Sequence, residues 1–308
     1  MRPVTRLFRV GSPSVAALPE PEGFFLFGSC AGLLQIIALT RAQKDQFMSK
    51  TCWFALALAS LTSLAPLHAD EFAHAVVAYD PGSDYAVNFT NPHTALGRPS
   101  RVNPFGDATD PFNPPYGTNQ IVSLGEGGSL TVRFHRPILN HPRNIFGLDF
   151  IIFGNSGFIV TNDFDPMTFE WIGTPATDGS LFAHNTGGTR VSVSMDGRRF
   201  FALAPERSPT VDVLFPTHGT GDVSRPVDPT LTQADFAGLT LAQIRALYHG
   251  SAGGAAYDIS WARDVRGRRA FLPFVRFVRV EIVSGKAEID AFSAIDRQGW
   301  RIHRRGHR

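Results

Sequence analysis

Short apolar runs separated by turn-forming residues fill the chain after residue 70, and they restrict the fold more than any other feature. The first run, AHAVVAY at 73–79, is followed by Asp80-Pro81-Gly82. Runs of this kind predict strands, and the Gly, Pro, Asn and Asp residues between them predict turns. The same pattern recurs at residues 121–124, 129–134, 146–153, 168–172, 190–194, 199–203, 275–283 and 287–292.

The spacing of these runs also predicts antiparallel pairing. Asp196-Gly197 stands between residues 190–194 and 199–203, and Asp-Gly between two alternating runs is a strong hairpin signal. The run VRFVRVEIV at 275–283 alternates, with the arginines on one face and Val and Phe on the other. We therefore expect an all-β fold with two antiparallel sheets, formed as one domain by residues 70–296.

One helix interrupts the strand pattern. Leu241, Ile244, Leu247 and Tyr248 repeat at helical spacing. Thr240 can cap this segment, with a Gln three residues later as its capping-box partner, and a Gly at position 250 is a natural stop. We expect a single short helix near residues 240–249.

A complete export signal begins at Met48. A short basic segment is followed by the apolar run WFALALASLTSLAPL at 53–67, and Ala69 supplies a small residue at a cleavage point. We therefore interpret residues 48–69 as a signal peptide, residues 1–47 as an extension upstream of the true start, and residues 70–308 as the mature chain. The alternative is that translation starts at Met1 and residues 23–40 form a membrane anchor.

The composition of the chain excludes several classes of function. Both cysteines, Cys30 and Cys52, precede residue 70, so the mature chain has no disulfide and no thiolate chemistry. Residues 70–296 carry 18 Lys and Arg against 24 Asp and Glu, and a basic tail follows at 297–308. An acidic body argues against a nucleic-acid partner. The expected location is secreted, periplasmic or at the cell surface, with no membrane span in the mature chain.

Three longer motifs resemble one group of proteins. The runs IVSLGEGGSLTVRFHRPILN (121–140), NIFGLDFIIFGNSGF (144–158) and FVRVEIVSGKAEIDAF (277–292) resemble exported bacterial surface proteins of the PEP-CTERM-associated type. The resemblance implies a jelly-roll β-sandwich of the galactose-binding or discoidin-like kind and implies no established activity. The basic end WRIHRRGHR at 300–308 departs from the group because no apolar span accompanies it, so we do not expect a sorting tail.

A calcium site is one consequence of that resemblance. In such jelly rolls the first and last strands lie side by side, and a structural Ca²⁺ often sits near them. Asp80 and Asp84 follow the first predicted strand, and Glu288 and Asp290 lie in the last one. Carboxylate oxygens are the ligands that Ca²⁺ prefers, so these four residues are the predicted metal ligands. The alternative is that each Asp serves only turns and local hydrogen bonds.

Aromatic residues near loops are the candidates for a ligand site. Trp171, Tyr116 and Trp261 are predicted to bind ligand because aromatic rings stack on sugars. No motif for nucleophilic catalysis is present in the sequence, and no catalytic residue is assigned. We expect a non-enzymatic exported surface or matrix module that binds glycan or another extracellular ligand. The alternatives are a polysaccharide hydrolase with paired carboxylates and a purely structural envelope protein.

Overall fold

The computed structural model describes residues 71–295, which lie within one compact unit. The predicted all-β fold is confirmed, and every pair of strands is antiparallel. The six-stranded sheet contains, in spatial order, β1 (Ala73–Asp80), β3 (Ser129–Leu139), β13 (Phe274–Ser284), β9 (Gly188–Ser194), β10 (Phe201–Leu203) and β12 (Ala262–Arg263). The four-stranded sheet contains β11 (Ala255–Tyr257), β4 (Phe150–Gly154), β14 (Ala287–Ala294) and β2 (Val122–Leu124).

Alternation along the strands creates the main core. In β13, Val278 and Val280 are buried, and they pair with Val132 and Leu130 of β3. These side chains belong to one apolar cluster with residues of β2, β4 and β14 from the other sheet. The two sheets therefore pack face to face as a sandwich, as expected when each sheet has one apolar face.

The four-stranded sheet is covered on both faces. Phe150 and Ile152 of β4 face the main core, while Ile151 and Phe153 belong to a second buried cluster. Burial on both sides explains why residues 150–153 form an uninterrupted apolar run rather than an alternating one.

Smaller elements are attached to the sandwich. Two more antiparallel pairs form between β5 (Gly157–Val160) and β8 (Thr177–Phe182), and between β6 (Phe164–Asp165) and β7 (Glu170–Trp171). The described residues contain one α-helix, α1 (Leu241–Leu247), as predicted. A third apolar cluster joins Ile244 of α1 to Phe158 of β5. The 3-10 helices span Pro92–Ala95, Ile145–Gly147, Gln233–Phe236 and Ile259–Trp261.

Several details differ from the sequence-based predictions. The strand predicted at 146–153 begins only at Phe150, because Phe146 adopts a left-handed conformation (φ 55°) within the preceding 3-10 helix. The first and last strands, β1 and β14, lie in different sheets, and a single bridge between Phe72 and Ser293 joins them near one end. The jelly-roll connectivity stays a prediction.

Other predictions fall on the ends of the chain. The upstream extension at 1–47, the signal peptide at 48–69 and the basic tail at 297–308 lie outside the described residues. Within residues 71–295, no helix is both long and apolar enough to cross a membrane.

Candidate functional site

A cleft of about 380 Å³ lies where the turn between β13 and β14 meets the loops that follow β1, β2, β8 and β10. Four carboxylates, one lysine and one histidine contribute to its wall. The lining residues are Asp84, Glu126, Ala183, His184, Thr186, Asp212, Gly285, Lys286 and Glu288.

Asp212 holds three segments together at this cleft. One of its carboxylate oxygens accepts hydrogen bonds from the backbone N–H groups of Asn155 and Ser156, both at 2.8 Å. The other oxygen accepts from the backbone N–H of Glu288 at 3.0 Å. Gly154 allows the close approach, because a Cβ at that position would lie 2.2 Å from the Asp212 carboxylate. Three amide donors occupy both oxygens, so this carboxylate is a structural acceptor.

Burial dominates the electrostatics of this pair. Burial raises the pKa of Asp212 to about 7. The three amide donors stabilise the anion and therefore lower this pKa, but their effect is smaller than that of burial. Burial also raises the pKa of Glu288, opposed first by the hydrogen bond that Asn155 Nδ2 donates to Glu288 Oε2 at 2.5 Å and then by the charge of Lys286. Asp212 is buried whereas Glu288 is half-buried, so Glu288 is the more accessible of the two carboxylates to a ligand in the cleft.

The four predicted calcium ligands do not form a common site. Asp84 and Glu288 both line the cleft, but Asp80 accepts a hydrogen bond from the backbone N–H of Gly82 within its own turn. The carboxylate of Asp290 accepts hydrogen bonds from the N–H and the hydroxyl of Ser100, each at 2.8 Å. Among residues 71–295, no group of three or more His, Cys, Asp or Glu side chains is arranged to hold a metal ion. Calcium binding itself stays a prediction.

A second candidate site is the hairpin formed by β6 and β7, here called the aromatic hairpin (residues 164–171). Phe164 and Trp171 are opposite each other in the register, with ring centroids 5.2 Å apart in an edge-to-face arrangement. The ring centroid of Phe169 lies 6.2 Å from that of Phe164, also in an edge-to-face arrangement. The three side chains are 44%, 42% and 79% exposed for Phe164, Trp171 and Phe169, so three neighbouring rings face solvent together.

Side-chain hydrogen bonds close this hairpin at its base and at its tip. The side chain of Asn162 donates to the carbonyl groups of Ile172 and Thr174 and accepts from the N–H of Ala176. At the tip, Asp165 accepts from the N–H of Met167 at 2.8 Å. Because both ends of the turn are held by side-chain hydrogen bonds, the rings are presented by an ordered support rather than by an unconstrained loop.

The three predicted ligand-binding aromatics fall in different environments. Trp171 belongs to the aromatic hairpin, and Tyr116 is 37% exposed with its ring 6.1 Å from that of Phe105. Trp261 is only partly exposed, because it packs against the two apolar clusters of the sandwich. The structure thus gives Trp171 a neighbouring set of exposed rings and gives Trp261 a packing role.

Sequence reasoning missed Asp212, Phe164 and Phe169. An Asp-Pro turn signal at 165–166 between two aromatic residues could have indicated the hairpin. No pattern near Asp212 predicts its role, because its three amide donors come from distant parts of the chain.

No known protein family matches this chain, and no characterised protein is similar to it in sequence. Its function must therefore be argued from the geometry of the two candidate sites.

Proposed function

We propose that this protein is an exported, non-catalytic β-sandwich module of the cell surface or extracellular matrix that binds glycan through the aromatic hairpin. The observation that supports it is the exposure of Phe164, Phe169 and Trp171 side by side on one hairpin. The resemblance to exported bacterial surface proteins supports the location.

Stacking explains why the ligand would be a glycan. Large apolar side chains that remain exposed together on a soluble domain commonly mark a binding surface. A sugar presents an apolar C–H face to an aromatic ring and hydroxyl groups to water and polar side chains. Three exposed rings on the surface of a hairpin can contact an extended sugar chain, whereas a compact small molecule needs a concave pocket.

The test is glycan binding by the purified protein, first on an array and then by calorimetry with the best ligand. Trp171→Ala and Phe164→Ala should each weaken binding about tenfold or more, because each removes a stacking surface. Phe271→Ala is the matched control, since this phenylalanine is 87% exposed outside the hairpin and its replacement should leave the affinity unchanged. Absence of glycan binding, or equal affinity in Trp171→Ala, would overturn the proposal.

A polysaccharide hydrolase is the second candidate function, and the raised pKa of Glu288 in the cleft favours it. Paired-carboxylate hydrolysis needs two carboxyl groups that both reach the substrate. The oxygens of Asp212 are instead engaged by the amides of Asn155, Ser156 and Glu288, so the second carboxyl group of such a pair would have to be Asp84 or Glu126 on the cleft wall. Release of reducing sugar from array-positive polysaccharides, abolished by Glu288→Gln, would establish the hydrolase and refute the non-catalytic module.

A further inference from the structure

All arginines in the strands of the two main sheets belong to the six-stranded sheet. The strands of this sheet contain six arginines and two carboxylates, whereas those of the four-stranded sheet contain two carboxylates and no Arg or Lys. The arginines are Arg133, Arg136, Arg190, Arg263, Arg276 and Arg279, and the carboxylates of the same sheet are Asp80 and Glu281. A basic sheet on an otherwise acidic domain creates a local field that attracts anions.

The strand register aligns three of these arginines. Each of Arg133, Arg279 and Arg190 is next to a valine of the main core, so each lies on the outward face of the sheet. Arg133 of β3 is opposite Phe277 of β13, and Arg190 of β9 is opposite Glu281 of β13. Because Arg279 lies midway between Phe277 and Glu281, the three arginines form a diagonal line across three adjacent strands, with neighbouring Cα atoms about 7–8 Å apart. This line is here called the arginine diagonal.

The central guanidinium group of the diagonal is held in place. Arg279 Nε donates a hydrogen bond to Thr131 Oγ1 at 3.0 Å, and its guanidinium carbon lies 4.0 Å from the centre of the Phe200 ring. These contacts engage one nitrogen and one face of the planar group. Its two terminal NH2 groups therefore remain in a fixed orientation and are available to donate to an anion.

The positive charge of the diagonal is not neutralised by ion pairs. Within residues 71–295, none of its three guanidinium groups forms an ion pair, and the Arg190 and Glu281 side chains do not come within ion-pair distance although they are opposite in the register. Arg133 and Arg190 are exposed. Arg276 donates to the carbonyl of His135 at 2.9 Å, which places a further cation near the Arg133 end. An anion laid along the diagonal would relieve the repulsion between these like charges.

The chemistry of the complement follows from this arrangement. A planar guanidinium group binds carboxylate oxygens in a bidentate manner, and a line of such groups fits a linear chain with repeated carboxylates. A single-stranded nucleic acid would need open aromatic faces for its bases, but the face of Phe200 is covered by Arg279. An anionic bilayer is a broad surface that would also meet the acidic parts of the domain.

We propose that the arginine diagonal is a binding site for acidic polysaccharide, in which carboxylates of uronate units accept hydrogen bonds from Arg133, Arg279 and Arg190. This site goes beyond the proposed function, because it shares no residue with the aromatic hairpin and takes a ligand of defined charge.

Calorimetry with two matched oligosaccharides tests the site. The probes are a galacturonate hexamer and the same hexamer with every carboxyl group methyl-esterified, both at low salt. The free acid should bind about tenfold or more tightly than the ester, because only the free acid carries charge. Added salt should weaken binding of the free acid, since screening reduces the attraction between exposed charges.

Variants of the diagonal identify the residues responsible. Arg133→Gln/Arg190→Gln should weaken binding of the free acid about tenfold and should preserve the thermal melting curve, because both side chains are exposed. Arg279→Lys keeps the charge but loses the planar group, so it should still weaken binding several-fold. Arg225→Gln is the control, because Arg225 lies close in sequence to Val223 of the cluster behind the four-stranded sheet, and it should bind like wild type.

The remaining outcomes separate this site from the aromatic hairpin and from other partners. Trp171→Ala should bind the galacturonate hexamer as wild type does, and a loss there would move the uronate site to the hairpin. Equal affinity for the acid and the ester, or unchanged affinity in the double variant, would overturn the proposal. Tighter binding of a thymidine oligonucleotide or of phosphatidylglycerol vesicles than of the hexamer would also overturn it and would assign this face to nucleic acid or to a membrane.

Discussion

Asp212 shows how one side chain can organise a cleft without being its reactive group. Its backbone is left-handed (φ 60°), which turns the carboxylate toward the amides of Asn155, Ser156 and Glu288. The backbone N–H of Asn185 in turn donates to the carbonyl of Asp212 at 2.8 Å. The residue therefore connects β14 to the loops that follow β4 and β8.

Replacement of Asp212 by Asn should destabilise the protein by about 1–3 kcal/mol at pH 8, where the native carboxyl group is largely ionised. The new NH2 group would face an amide N–H, so at least one buried donor would lose its acceptor. Asp178→Asn is the control, because that exposed carboxylate bonds only to Ser180 two residues away. Urea unfolding measures the difference in the free energy of unfolding, provided that its dependence on urea concentration has the same slope in the variant and the wild type. Equal unfolding midpoints for Asp212→Asn and wild type would contradict this role.

At the residue scale, the sequence indicates that a buried carboxylate needs a hydrogen-bond partner but does not identify that partner. Asp290 stands in an apolar strand, which predicts that its carboxylate needs a partner. The partner is Ser100, which is 190 residues away in the chain and lies in a segment rich in Pro, Asn and Gly at residues 91–119. Pairings across such distances depend on how loops fold over the sheets, and a single sequence contains no local signal for them.

Elements were predictable where their signals are local. Thr240 and Gln243 form the predicted capping contact, with the Thr240 N–H donating to Gln243 Oε1 at 2.8 Å. The Asp-Gly hairpin between β9 and β10 also follows the sequence, since Asp196 accepts from the N–H groups of Arg198 and Arg199. Strands of two or three residues, such as β6, β11 and β12, were missed because they are too short to show a period.

Two glycines with left-handed backbones allow the steric cost of an added Cβ to be separated from its conformational cost. One is Gly197, in the hairpin between β9 and β10, and the other is Gly267, in a separate turn. Gly197 has φ +74°, and a Cβ there would lie 2.9 Å from the ring of Phe277. Gly267 has φ +73° and nothing within 4 Å of a Cβ. Gly267→Ala should cost about 1 kcal/mol through left-handed strain alone, and Gly197→Ala should cost about 1 kcal/mol more because the ring must move. Chemical unfolding of both variants measures the difference, and equal losses would show that Phe277 adapts freely.

At the scale of the whole molecule, the sandwich buries three carboxyl groups without a cationic partner among the described residues. Burial raises the pKa of Asp149, Asp212 and Asp290 to about 7 in each case. Three donors oppose this shift at Asp149, from His141, Asn144 and Ile259, and three oppose it at Asp212. Asp290 has donors from Ser100 alone, so its neutral form is the least opposed.

Protonation of Asp290 should therefore make the protein more stable as the pH falls from 8 to 5. Its folded-state pKa, about 7, lies above the ordinary value of 3.8, so the native state binds a proton that the unfolded state lacks. That contribution is complete below the unfolded pKa and is lost as the pH rises through 7. As the pH rises from 5 to 7, this group alone should lower the free energy of unfolding by about 1.4 kcal/mol per pH unit.

Asp290→Asn supplies the decisive comparison, because Asn resembles the protonated acid at every pH. The Ser100 hydroxyl can reverse its role and accept from the new NH2 group, while its N–H still donates to the remaining oxygen. The variant should melt several degrees above wild type at pH 8, by a smaller margin at pH 5, and at the wild-type temperature only when the pH is below the unfolded-state pKa of 3.8. Glu206→Gln, which removes an exposed carboxylate, should follow wild type at each of these pH values. A variant that is less stable than wild type at pH 8 would show that Asp290 is held as an anion, and the predicted gain of stability in acid would then have to arise elsewhere.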